Sequence, residues 1–268
     1  MKIETLKQDM IALLPKIDST EFDLEVFKES GVFVVRNAIP KDKLEQWQSH
    51  WKAYYESDIG KRRKPEYEYN KVEVKDIPEP LAAIHRESCF LDIVEQLFGP
   101  NIGLFNKRFV VKDSLSRGSV FLHQDTCYQF GGVAKASIFA ALFDANPENG
   151  GLAFHLGTHK FGYLGDAGEI RDDLLPEDWP VVHPRLNAGD LAVMNSLTWH
   201  GSPPHSSGND RVMTDFIYQD AEDFSTVEVV RGNAEIEPNF LNRSREDCLF
   251  KRSRVTRLKE LQALEDAS

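Results

Sequence analysis

Cysteine is scarce. Cys89, Cys127 and Cys248 are the only three in 268 residues. They are odd in number and far apart, which excludes a disulfide framework and a paired-cysteine zinc site. No apolar run approaches the ~18 residues of a membrane-spanning helix. The opening stretch from Met1 to Met10 mixes charges with apolar residues and lacks the apolar core of a secretion signal. Cations are outnumbered, 32 Lys+Arg against 43 Asp+Glu, for a net charge of −11. That balance argues against a broad nucleic-acid surface, which needs clustered Lys and Arg against phosphate. Repeats and low-complexity tracts are absent too. With 41% hydrophobic and 28% charged residues, the chain is too apolar for disorder and long enough for one sizeable core. The expectation is a soluble, cytoplasmic protein.

Helical spacing of Phe22, Val26 and Phe27, closed by Gly31, predicts a helix over 21–29. Val32 to Val35 reads as a short buried strand. A second amphipathic helix runs from Lys43 to about Tyr55, and the basic run Lys61 to Lys64 reads as a solvated loop. Apolar positions between Pro80 and Phe98 predict one or two helices ended by Gly99-Pro100. From residue 103 the pattern changes to short strands. They span Phe105 to Lys112, Phe121 to Asp125, Ala136 to Phe143, Leu152 to Phe154, Leu191 to Asn195 and Arg211 to Tyr218, separated by Gly-rich breakers. Residues 251–265 predict a surface helix. We expect a single domain: helices over about 1–100, a mostly β core over about 103–220 that forms a barrel or sandwich, and a C-terminal helix.

Eight histidines are present, and most read as surface or hydrogen-bonded residues. The exception is His123-Gln124-Asp125. Alternate side chains of an extended segment share a face, so His123 and Asp125 point to one centre while Gln124 points away. One imidazole and one carboxylate fill two positions on a metal, and a second imidazole completes the facial triad of non-haem iron oxygenases. His200 follows the apolar strand Leu191 to Met194 and supplies it. Arg211 comes eleven residues later, with Met213, Asp215 and Ile217 on its face. A guanidinium directed inward needs an anion and is shaped for a carboxylate.

On these residues the sequence resembles the phytanoyl-CoA dioxygenase family of Fe(II)/2-oxoglutarate-dependent oxygenases. Further matches are Phe27 to Pro40, Phe98 to Ile102, Tyr128, Glu148 to Leu152, Gly157 to Lys160 and His200-Gly201-Ser202. The resemblance implies a double-stranded β-helix, a jelly-roll, cupin-like barrel. It implies that His123, Asp125 and His200 hold Fe(II) and that Arg211 pairs with the far carboxylate of 2-oxoglutarate, with Ser202 nearby. It places Lys71, Gln124 and Phe139 around the same co-substrate. Arg108 stands where relatives carry an apolar residue, and a second arginine there binds either the co-substrate or an anionic group of the substrate. Tyr128, Phe154 and Trp199 are candidates for lining the substrate pocket. His155 and His159 serve structure or solvent, and Cys127 lies close to the metal motif.

The implied reaction consumes O2 and 2-oxoglutarate, releases succinate and CO2, and hydroxylates an unactivated C–H of a small organic molecule. Desaturation, epoxidation or cyclisation in natural-product biosynthesis, with the same cofactors, is the alternative. A catalytically silent metal- or ligand-binding barrel is the alternative outside enzymes. An intact Asp125 argues for oxygen transfer rather than halogenation, since related halogenases have a small residue there. The expected partner is a small molecule, with neither nucleic acid nor membrane, and the chain is a monomer or homodimer.

Overall fold

The computed structural model describes residues 2–62, 69–73, 77–165 and 169–235. Among the described residues, four α-helices lie in the first hundred: α1 (Ile3–Leu13), α2 (Leu24–Ser30), α3 (Lys41–Glu56) and α4 (Ser88–Phe98). Helix α1 was not expected. Its buried apolar stripe is only Leu6 and Met10, one turn apart, too thin to stand out among charges. Helix α2 is capped at both ends. The Asp23 carboxylate accepts from the amides of Glu25 and Val26, both at 3.0 Å. Gly31 ends the helix with φ +77, and a β-carbon there would come within 2.4 Å of His159 Nδ1.

The strands among the described residues are twelve, in the order β1 (Asp18–Ser19), β2 (Val32–Val35), β3 (Asn70–Glu73), β4 (Ile102–Lys112), β5 (Val120–His123) and β6 (Lys135–Ala140), then β7 (Ala153–His155), β8 (Val181–Val182), β9 (Leu191–Asn195), β10 (His200–Ser202), β11 (Arg211–Asp220) and β12 (Glu228–Arg231). Eight form one sheet in the order β1-β2-β9-β6-β11-β4-β12, with β3 also on β4. Four form a second sheet in the order β5-β10-β7-β8. Pairing is antiparallel throughout except for β1 with β2.

Period-two alternation gives the large sheet two apolar faces. Phe109, Val111, Val212 and Phe216 face α3 and α4, where Trp51 stacks on Phe109 at 5.1 Å and Phe90 meets Phe216 at 5.6 Å. Val110, Phe139 and Met213 face the small sheet and pack with Leu122 and Phe154. The site lies between these sheets.

The expectation of a closed double-stranded β-helix barrel is corrected by this pairing. Among the described residues no strand bridges the two sheets into a ring; they face each other as open layers. The physical reason lies at the edges. The large sheet ends on β1 at one side and on β3 and β12 at the other, so strands of its own occupy the positions where closure would occur. The small sheet's strands span two to four residues, and a register shift between His200 and Ser202 interrupts its pairing.

Lys61 and Arg62 end a short 3-10 helix, Gly60–Arg62. Arg63 and Lys64 of the basic run and the helix expected over 251–265 lie outside the described residues. No helix among the described residues is long and apolar enough to cross a membrane.

Candidate active site

The inner faces of the two sheets bound a cavity of about 400 Å3, its open mouth included. β5 carries His123 to its floor as the last residue of the strand. Gln124 stays extended, and Asp125 opens a 3-10 turn, Asp125–Tyr128. Strand structure thus stops earlier than expected, yet the alternation survives and both side chains converge. β10 pairs with β5 so that His200 lies directly opposite His123.

Ligand atoms of His123, Asp125 and His200 all lie within 4.8 Å of one another. Each histidine Nε2 is 3.6 Å from Asp125 Oδ1, and the imidazole centroids are 4.2 Å apart. The other nitrogen of each ring faces a carbonyl two residues back: His123 Nδ1 to Phe121 O at 2.8 Å, His200 Nδ1 to Thr198 O at 3.0 Å. Donation there assigns the proton to Nδ1 and leaves the Nε2 lone pairs directed at the centre. Ser137 Oγ donates to the second carboxylate oxygen of Asp125 at 3.1 Å.

Electrostatics suit a cation. Burial alone would raise the Asp125 carboxyl, but His200, His123 and Arg108 outweigh it and hold it well below its ordinary range. Burial and the neighbouring His123 push the His200 imidazole down to about 4, against the pull of Asp125. At neutral pH the centre therefore offers neutral imidazole and a carboxylate anion, a donor set that fits Fe(II).

Arg211 opens β11 and is 2% exposed. Its Nη1 donates to Gly150 O at 2.8 Å, while Nε is buried without a partner. Burial lowers Arg211 to about 10, so the guanidinium remains charged at pH 7. Buried Lys112, across from Arg211 in register, donates to Gly118 O at 2.8 Å and Pro203 O at 2.6 Å. It thereby ties two loops around that end of the cavity. Ser202 also lines the cavity, with a buried and unpartnered Oγ. A free guanidinium N–H and a free hydroxyl in one cavity fit a carboxylate co-substrate.

The remaining candidates separate into two groups. Phe139 and Arg108 line the cavity. Arg108 is paired with Asp215, its Nε at 2.6 Å and its Nη2 at 2.5 Å from the same oxygen, Oδ2. Lys71 is exposed, its Nζ 5.3 Å from the Tyr69 ring centre, and pairs with cavity-lining Val110 in register. Gln124 is fully buried and turned from the cavity. Its Nε2 donates to Gly162 O and Leu197 O at 2.9 and 2.8 Å, and its Oε1 accepts from Leu164 N at 3.1 Å. Phe154 stacks behind His200 at 6.4 Å, and Trp199 packs on Phe161 at 5.4 Å; neither lines the cavity. Tyr128 is 57% exposed, with its ring 5.8 Å from that of His123. His159 holds the end of α2 through Lys28 O, and Cys127 Sγ donates to Gly165 O.

Sequence reasoning missed Tyr69, Leu152 and Asp215 as lining residues. For Asp215 the signal was a charged residue on the apolar face of a strand, four positions after Arg211. Tyr69 and Leu152 gave none, because their place depends on β3 and on the turn before β7.

The family model for phytanoyl-CoA dioxygenase matches residues 27–213, from α2 into β11. No curated protein sequence matches the chain. Among solved structures, the chain is similar to the non-heme alpha-ketoglutarate-dependent carbocyclase SnoK from nogalamycin biosynthesis, with 17% identity, 76% of this chain and 86% of that chain covered, and a TM-score of 0.63. It is similar to the epimerase SnoN in complex with Fe3+, alpha-ketoglutarate and nogalamycin RO, at 16% identity, 79% and 90% coverage and a TM-score of 0.64. HygX from Streptomyces hygroscopicus, with nickel and 2-oxoglutarate bound, shares 15% identity over 75% of this chain and 88% of its own, with a TM-score of 0.57. With the family model covering most of the chain and the triad assembled as its chemistry needs, the protein belongs to the phytanoyl-CoA dioxygenase family and is an Fe(II)- and 2-oxoglutarate-dependent oxidoreductase.

Proposed function

We propose that this enzyme oxidises an unactivated C–H bond of a small organic molecule in natural-product biosynthesis, consuming O2 and 2-oxoglutarate and releasing succinate and CO2. The observation that carries the reading is the buried His123–Asp125–His200 triad sharing one cavity with Arg211. His123, Asp125 and His200 hold the iron, while Arg211 and Ser202 take the far carboxylate of the co-substrate. Phe139 flanks that co-substrate, and Lys71 stands at the cavity's β3 side. Gln124 contributes by fixing the backbone around the metal motif, since all its described bonds go to main chain. When bound, iron and 2-oxoglutarate supply the oxidising power to remove a hydrogen atom from carbon. The protein's own residues orient the reactants and exclude water.

The similar folds include a carbocyclase and an epimerase. They support ring closure or stereochemical inversion over net hydroxylation as the outcome. Hydroxylation remains the second reading, supported by the intact carboxylate at Asp125. Succinate formation with Fe(II), 2-oxoglutarate and O2 tests the class. Turnover that disappears in His200→Ala supports it, whereas no succinate from the wild-type enzyme, even uncoupled, across a broad substrate panel would favour a silent ligand-binding protein.

A further inference from the structure

Three residues that line the cavity each carry a buried polar atom without a partner: Arg211 Nε, Ser202 Oγ and Asp215 Oδ1. They are not equivalent. The 2-oxoglutarate dianion only accepts hydrogen bonds, so it satisfies the guanidinium N–H and the serine hydroxyl. It offers nothing to a carboxylate oxygen. Asp215 Oδ1 is left over once the metal and co-substrate are in place.

The geometry of Asp215 sharpens this. It lies in the middle of β11, opposite Arg108 in the β4 register, with its side chain 3% exposed. An arginine fork usually divides its N–H groups between the two oxygens of a carboxylate. Here both described bonds of Arg108 converge on Oδ2, and Oδ1, on a residue that lines the cavity, is left without a partner. A buried acceptor without a donor is unfavourable and requires an explanation. Asp215 lines the same cavity as His123, Asp125 and His200. Arg108 balances the Asp215 charge, so the pair as a whole attracts no second anion.

On the reading that Arg211 and Ser202 take 2-oxoglutarate, we infer that Asp215 is a substrate-binding residue, and that the organic substrate carries a hydroxyl or amino group that donates to Asp215 Oδ1 in the cavity shared with the triad. Arg108 is then a positioning residue that aims the carboxylate.

The test uses the enzyme loaded with Fe(II) and 2-oxoglutarate in the absence of oxygen. It is titrated with methyl β-D-glucopyranoside, cyclohexylamine and hygromycin B, each beside an exhaustively methylated counterpart without N–H or O–H. Binding is read by calorimetry and by the visible absorption of the iron complex. The expected result is at least one donor-bearing probe binding about ten-fold or more tightly than its capped counterpart, since a site built for a donor discriminates strongly against its absence. Asp215→Asn gives its oxygen to Arg108 and turns an NH2 toward the cavity; it removes that preference, while the 2-oxoglutarate dianion, drawn by the unbalanced Arg108 charge, binds at least as tightly as to the wild type. Equal binding of parent and capped probes, no binding by any parent, or an undiminished preference in Asp215→Asn overturns the inference. Where Asp215→Asn does not fold, the Arg108→Leu/Asp215→Leu double variant removes both charges together and carries the same comparison. Calorimetry with 2-oxoglutarate alone separates the two levels: failure of the wild type to bind it overturns the co-substrate reading and this inference with it.

Discussion

Both imidazoles of the triad are fixed before any metal arrives, because each Nδ1 faces a carbonyl on its own chain two residues back. Removing one therefore deletes a ligand without a substitute nearby. His200→Ala is expected to lower Fe(II) affinity by at least about 100-fold and to reduce succinate formation to background, since outer-shell changes alone cost ~10–100-fold; metal titration followed by turnover checks both. Arg211 acts on a different quantity. Arg211→Gln is expected to raise KM for 2-oxoglutarate about ten-fold or more, the equivalent of one lost charge-assisted hydrogen bond, while Fe(II) affinity is unchanged. A matching loss of iron binding would place Arg211 in the metal centre instead. The convergence of His123, Asp125 and His200 and the inward placement of Arg211 were legible in the sequence, because extended backbone alternates and places these side chains on inward faces. Asp215 was visible as an inward charge but not as a binding group. Its partner Arg108 is supplied by strand register across 107 residues, which no local pattern encodes.

At the scale of elements, strands with an apolar run and helices with an apolar stripe were readable, and strands without either were not. β2 and β9 match their expected bounds, since four or five consecutive apolar residues between turn signals leave little choice. β10 spans three residues, His200–Ser202, and its Gly201-Ser202-Pro203 composition reads as a turn; only pairing on both sides makes it a strand. β3 and β12 were missed for the same reason, and with them the edge occupancy that keeps the sheets open. Helix α4 rests on β11 through Phe90 and Phe216. Phe216→Ala is expected to destabilise the fold by about 3–5 kcal/mol, read as a lowered denaturant midpoint. Asp23→Ala removes the α2 cap at a cost of about 1 kcal/mol, and a loss below a few tenths would show that the cap is redundant.

Across the whole molecule, acid stability turns on an ion cluster on the face of the large sheet turned away from the cavity. Glu228 on β12 meets His85 at 2.9 Å, Arg86 at 2.5 Å and Lys107 at 3.2 Å. Burial would raise its carboxyl, but His85 and Lys107 outweigh it and hold it at about 2, below the ordinary 4.5. The folded state therefore prefers the anion. Its contribution is fully present above about pH 4.5 and is lost as the pH falls toward 2. Stability measured by urea denaturation should decline through that window, and Glu228→Gln should flatten the decline; an equally steep loss in the variant would assign it to other carboxylates.

The carbonyl of Gly31 accepts from Asn195 N at 2.9 Å and from Thr198 Oγ1 at 3.0 Å, fastening the turn before His200 to the end of α2. Metal release is expected to require this clasp to part, because it holds the turn that positions His200. Iron should leave the holoprotein at a rate that follows hydrogen exchange of the Asn195 amide, slow and steeply temperature-dependent, rather than at the pace of ligand exchange in water.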